Sequence, residues 1–394
     1  MERNLRLYPR YRFLRDAIFW LPIFFLYFRS VLPADRVLLL EAVYYLGVVV
    51  LEVPSGWWSD RMGRRPTLLI AAGAWIVACC LFAASPGGGA FVAAQLLMAL
   101  GMAFASGTDS AFLYDTLRAL GREHEVLQHE TRAVTWSLAG MGIAAVGGGL
   151  FGAVDLRLGH AASALTAAGA FAVAWHFREP PREADPPGGA ATQVLAMVRR
   201  PALLWLLLAS VTATVVNHVP YELFQPYLAL LLGSGGGLTS APVAAGLTVG
   251  VALLASAWAS RRAEGLQDRL GPTGTMLFAL GLQGALMAAM AIAVHPLVGL
   301  LLGLRSVSGA IFGPVLASMV HPRVESSVRA TWLSVMSLVG RLGFAGWLAA
   351  AAVSLGALEG LSHAAMRGLL LGTLVGLGAA MLGLAATRRV VASR

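Results

Sequence analysis

Asn217, His218, Tyr221, Glu222 and Gln225 interrupt an otherwise apolar stretch. At the helical advance of about 100° per residue they lie at about 0, 100, 40, 140 and 80°, so they share one face. Pro220 and Pro226 break the same stretch, as prolines do where a helix lines a cavity. An amide, an imidazole, a phenol and a carboxylate gathered in apolar surroundings can hold a small solute. His218 or Glu222 can also take up and release a proton. The other reading is an interhelical polar network. Two further stretches repeat the pattern: Glu41, Tyr44, Tyr45, Val48 and Glu52 on one, Gln95, Met98, Met102, Ser106 and Asp109 on the other. Glu222, Asp109, Glu41 and His218, in that order, are the proton candidates. Arg305 and Arg341 are the two cations deep in apolar stretches. Such arginines need a partner, either a structural carboxylate or an anionic solute. Asp16 has Arg12 and Arg15 close by to pair with.

These groups need an apolar scaffold, and the composition supplies one. Of 394 residues 58% are hydrophobic and 12% charged, with mean hydropathy +0.72; a soluble domain carries about 25% charged residues. The chain reads as an all-α polytopic membrane protein. Twelve stretches reach the roughly 20 apolar residues a crossing needs: Phe13–Leu32, Val37–Ser55, Thr67–Ser85, Ala90–Leu117, Val134–Val154, Leu158–Phe177, Ala202–Leu231, Ala241–Ser260, Gly274–Val294, Leu297–Val320, Val328–Ala352 and Ala364–Ala386. The first follows an Arg-rich start but is long and lacks a small-residue cleavage site, so it is expected to stay as a span.

The net charge is +9 and every basic residue is Arg. With the N-terminus inside, 23 of the 29 arginines fall in inner loops and tails and four in outer loops. That bias predicts an even number of spans in the cytoplasmic (inner) membrane, with both termini cytoplasmic. Loop arginines distributed this way set topology, and no nucleic-acid partner is expected. Without Lys there is no Walker A lysine and no Schiff-base lysine, so ATP-driven transport by this chain alone is excluded. Cys79 and Cys80 are neighbours in one apolar stretch and read as free and packed. No nucleophile constellation or metal-ligating pattern stands out, so neither an enzyme nor a cofactor or metal is expected.

Residues 178–200 begin Arg-Glu-Pro-Pro-Arg and run on through prolines and glycines, the composition of a solvated linker. It divides the chain into a bundle of six spans over 1–177 and a second over 201–394. A faint internal repeat supports the division: Asp60-Arg61-Met62-Gly63 after span two, Asp268-Arg269-Leu270-Gly271 after span eight. Two six-helix halves are a transporter plan.

The turn after span two reads Gly56-Trp57-Trp58-Ser59-Asp60-Arg61-Met62-Gly63-Arg64-Arg65. A turn this short and basic between two spans belongs on the cytoplasmic side. Arg61 is placed to pair with a carboxylate at the inner end of another span, with Asp115 the candidate. Gly56, Asp60, Arg61, Gly63, Arg64 and Arg65 resemble the signature loop of the major facilitator superfamily, with Glu52-Val53-Pro54-Ser55 as its lead-in. The run Asp109 to Asp115 is also similar to members of it. Leu97 stands where proton-coupled drug exporters carry Arg, and the glycine run of span five lacks their Pro. The resemblance implies a fold of two six-helix bundles, a gating latch at this turn, and alternating access.

The expected function is secondary active transport, with proton-coupled efflux of a small amphipathic molecule ahead of uptake or exchange of an organic anion through Arg305 and Arg341. A different class, a non-transporting scaffold or lipid-handling protein, would not need carboxylates and arginines in several spans. The expected partners are a small-molecule substrate, protons and the lipid bilayer. A bundle of this size can enclose its own cavity as a monomer.

Overall fold

The computed structural model describes residues 1–84, 87–181, 197–233, 237–324, 326–356 and 362–392. Residues 182–196, most of the expected linker, lie outside them. Every regular element among the described residues is helical. Contacts divide the chain into two units, one of Met1–Asp185 with Ser234–Val249, the other of Pro186–Gly233 with Gly250–Arg394.

The first unit holds α1 (Glu2–Asp16), α2 (Phe24–Arg29), α3 (Ala34–Met62), α4 (Arg64–Ala84), α5 (Gly88–Ala105), α6 (Thr108–Arg118), α7 (Val126–Val154) and α8 (Arg157–Trp175). Its most extensive packing is α4 on α5 and α8, α3 on α5, and α1 on α7. The second unit is built on α9 (Pro201–Leu232), α11 (Ala263–Ile292), α12 (Pro296–Leu301), α13 (Val307–Val320), α14 (Ser326–Gly356), α15 (His363–Ala386) and the short α16 (Arg389–Ala392). There α11 packs on α13 and α15, and α9 on α14 and α15. The helix α10 (Gly237–Ser260) gives its first half to one unit and its second half to the other.

Among the described residues ten helices are long and apolar enough to cross a membrane, eleven when the segments Ala34–Glu52 and Pro54–Met62, bent by 45°, count as one span. The bend falls at Pro54, which cannot donate to the preceding turn. The twelfth expected span, Phe13–Leu32, is not one helix. It consists of the end of α1, an irregular stretch over 17–23, and the six residues of α2. A broken backbone in an apolar layer needs partners from its neighbours, and α8 provides them. The Ser163 hydroxyl accepts from the Phe19 and Trp20 amides at 2.9 and 3.3 Å, and Thr166 Oγ1 donates to the Ala17 carbonyl at 2.9 Å.

The break also explains the glycines of α7. A Cβ on Gly148 would stand 2.0 Å from the Phe19 carbonyl oxygen, and one on Gly149 2.8 Å from that of Pro242 in α10. Nothing lies within 4 Å of the corresponding point at Gly142. Gly148→Val is therefore expected to lower the melting temperature in detergent sharply, since overpacking costs about 1–3 kcal/mol even where side chains can yield. Gly142→Ala should melt like the parent. Equal melting of the two variants would show that the irregular stretch does not seat on α7.

The two matching turns are related in backbone as well as sequence. Gly63, between α3 and α4, has φ 119°, and Gly271, inside α11, has φ 70°. Both angles are open to Gly and strained for other residues. Cys79 is buried as expected, whereas Cys80 is exposed; both are free.

Candidate functional site

Five of the expected residues lie along α9. Glu222 and Gln225 are fully buried, with no exposed surface; Asn217, His218 and Tyr221 are half-buried. His218 Nδ1 lies 2.7 Å from the Thr214 carbonyl, and its ring sits 4.9 Å from that of Phe344 on α14. Phe344 stacks in turn on Trp347 at 5.7 Å. Gly340 and Gly343 admit α9 closely at this level, against Thr214 and Val211. The Asn217 amide faces Gly309 of α13. The face drawn from helical spacing is thus spread over two neighbouring helices rather than aimed at one point. Arg341 is half-buried and within electrostatic reach of His218. Arg305 is 4% exposed; its guanidinium lies 4.2 Å from the centroid of the Phe224 ring and donates to the Leu302 carbonyl at 3.2 Å.

In the first unit, Glu41 and Gln95 meet. Both are buried, and the amide nitrogen of Gln95 donates to Glu41 at 2.9 Å. The Glu41 carboxylate is thus buried against a neutral amide.

Asp109 has a different setting. Arg15 reaches its carboxylate at 2.5 Å and Arg12 at 3.3 Å. Asp16 takes Arg15 at 2.8 Å, Arg12 at 3.3 Å, and a hydrogen bond from Ser137. Glu130 extends the cluster at 3.9 Å from Arg12. The cluster joins the end of α1 to α6 and α7. Asp109→Asn is expected to destabilise the protein by about 3–5 kcal/mol, the usual cost of leaving one side of a buried pair uncompensated. The pH dependence of transport should stay unchanged, and a shifted pH profile at normal stability would instead make Asp109 a proton carrier.

The turn between α3 and α4 corrects one expectation. The guanidinium that meets Asp115 belongs to Arg64, at 3.1 Å, not to Arg61. Arg64 also reaches Asp60 at 2.7 Å and the Ser59 hydroxyl at 2.9 Å. Arg61 instead lies over the Trp57 ring, 4.5 Å from its centroid. Positions i and i+4 share a helix face, which couples Trp57 to Arg61 within α3, whereas the turn at Gly63 brings Arg64 back onto Asp60. Gly56 is exposed in the last turns of α3, and Arg65 donates to the Trp175 carbonyl at 2.8 Å.

Glu179 was not among the expected residues. Its two carboxylate oxygens accept the amides of Arg64 and Arg65 at 2.7 and 2.8 Å, which caps the start of α4 from the far end of the unit's sequence. The signal available was an acid in the first residues after span six. His160 was also missed. It is fully buried among Trp20, Tyr27, Phe28 and Phe82, with ring centroids 4.8–6.3 Å away.

A profile of the Major Facilitator Superfamily matches residues 18–348. This chain belongs to the major facilitator superfamily. It is a multi-pass membrane transporter of that type. "Probable anion transporter 7" of Oryza sativa subsp. japonica is 26% identical over 155 residues, 38% of this chain and 34% of that protein. The match thus spans about a third of the curated relative's length. Among solved structures, the nucleoside transporter NupG superposes with TM-score 0.80 at 13% identity, over 98% of this chain and 99% of that one. The peptide transporter POT in complex with sulfate gives 0.77 at 13% identity, over 98% and 94%. A D-xylose-proton symporter gives 0.69 at 16% identity, over 95% and 96%. At such identities the likeness is one of fold.

Proposed function

We propose that this transporter works by alternating access and couples proton movement to the export of a small amphipathic molecule across the cytoplasmic membrane. In this reading it has twelve spans, the broken segment over 13–32 being the first, and both termini are cytoplasmic. The carrying observation is Glu222, a carboxylate with no exposed surface on a continuous helix that carries a proline on either side of it. Ionisable groups at such depth mark solute and proton paths. Glu41, held by the neutral Gln95 amide, is the second candidate. Asp109, already clamped by two guanidiniums, is assigned to holding α6 on α1. The aromatic run His218, Phe344, Trp347 favours a substrate with a flat apolar part. In the turn, Arg64 rather than Arg61 carries the latch to Asp115.

The test is accumulation in inside-out vesicles under an imposed pH gradient. A labelled amphipathic compound should accumulate when the interior is acidic and leave on adding a protonophore. Accumulation that ignores the gradient would defeat the coupling. The second reading is exchange of an organic anion through Arg305 and Arg341. The similarity to a protein named as a probable anion transporter favours it, and it requires that Arg341→Glu abolish anion flux.

A further inference from the structure

Four arginines at the end of the first unit that carries the α3–α4 turn are paired with carboxylates. Arg12 and Arg15 serve Asp16 and Asp109, Arg64 serves Asp60 and Asp115, and Arg122 serves Glu2 and Glu125. Three others lie on indole rings. Arg61 lies over Trp57 at 4.5 Å, Arg65 over Trp175 at 5.4 Å, and Arg262 over Trp258 at 5.1 Å. Among the described residues, none of the three has a carboxylate at ion-pair distance. The three indoles are 55%, 58% and 60% exposed. Each stands at or near a helix end: Trp57 in the last turns of α3, Trp175 as the final residue of α8, Trp258 just before the end of α10.

This combination has a physical meaning in a bilayer. An indole at a helix end sits at the headgroup level, its apolar body in the acyl region and its N–H toward water. A guanidinium lying on the ring is held by cation–π attraction through its face. Its N–H donors point outward in its plane, where they match two phosphate oxygens at once. A purely topological arginine would not need a ring beneath it, and a structural one would give its guanidinium to a carboxylate or a carbonyl, as Arg65 does to Trp175.

We propose that the pairs Arg61–Trp57 and Arg262–Trp258 are binding sites for the phosphodiester headgroups of anionic phospholipids; Arg65 already gives its guanidinium to the Trp175 carbonyl. Each site takes one headgroup, with the phosphate on the guanidinium and the acyl chains beside the indole. These sites are independent of which solute the transporter carries.

The experiment is lipid retention. The full-length protein is equilibrated with mixed micelles of phosphatidylglycerol and phosphatidylcholine, passed over a sizing column, and its bound lipids are counted by mass spectrometry. Phosphatidylglycerol should be enriched over its bulk share by about fivefold per guanidinium, with the enrichment falling as salt rises. Arg61→Gln with Arg262→Gln should lose most of the enrichment while eluting as the parent does. Trp57→Leu with Trp258→Leu, which keeps every charge, should lose a substantial part of it. Arg61→Lys with Arg262→Lys should fall between. Equal retention of the two lipids by the parent would overturn the proposal. So would enrichment unchanged in the Gln variant, or displacement of the lipid by millimolar inorganic phosphate, which would mark a soluble-anion site.

Discussion

Glu222→Gln is expected to abolish substrate-driven proton movement while leaving the protein folded and able to exchange substrate for substrate. The side chain has no exposed surface, and Gln225, equally buried, lies one turn along the same helix. Gln keeps the shape and the hydrogen-bonding reach of Glu and removes the ionisable group. Coupling requires a group whose affinity for protons differs between the two open states. If Glu222 is that group, its amide leaves a carrier that still binds and reorients but moves no proton. Exchange is read with labelled substrate on both sides of the membrane, and proton movement with a dye inside the vesicle. Loss of both would make Glu222 a structural residue. Retention of both would pass the role to Glu41, whose Gln variant is then the next to make.

The second large effect is expected at Arg64. This one side chain reaches Ser59, Asp60 and Asp115, and its amide is held by Glu179. Arg64→Ala removes all three side-chain contacts and leaves the half-buried Asp115 without its cation. A latch is a difference in free energy between two states, and couplings of 1–3 kcal/mol correspond to shifts of about 5- to 150-fold. Transport should fall within that range. Arg61→Ala should cost much less, because Arg61 stacks on Trp57 and touches neither carboxylate. Asp115→Asn combined with Arg64→Ala should be no worse than Arg64→Ala alone, as expected for partners in one interaction. Additive losses, or a larger effect at Arg61, would break the assignment. The readout is initial transport rate, with the melting temperature as the control for folding.

Much of this architecture was legible because a bilayer imposes its length on apolar runs. The helices from α4 to α15 follow the apolar stretches closely, and the glycine at the signature turn announced the break between α3 and α4. The first span was misread for a physical reason. Phe-Trp-Leu-Pro-Ile-Phe-Phe-Leu-Tyr-Phe over 19–28 is apolar throughout, so composition cannot distinguish a helix from a break whose backbone is satisfied elsewhere. The atoms that satisfy it, the hydroxyls of Ser163 and Thr166, lie more than a hundred residues away in the chain. Pairings between helices were hidden likewise. Glu41 and Gln95 could each be placed on a polar face, but not at the same height. Four-residue spacing within α3 sets Trp57 beside Arg61, but the turn at Gly63 that carries Arg64 to Asp60 and Asp115 could not be read from helical spacing. The clamp on Asp109 was half visible, in Arg12 and Arg15 beside Asp16; that α6 would deliver Asp109 to the same pair was not.

The most direct measurement of the central claim is the pH inside proteoliposomes when substrate is added, screened across cationic, neutral and anionic compounds. A pH change with one amphipathic class, absent in Glu222→Gln and in protein-free vesicles, is the predicted result. Labelled compound crossing with no change in pH would contradict proton coupling and leave the arginines of the second unit as the substrate contacts to test.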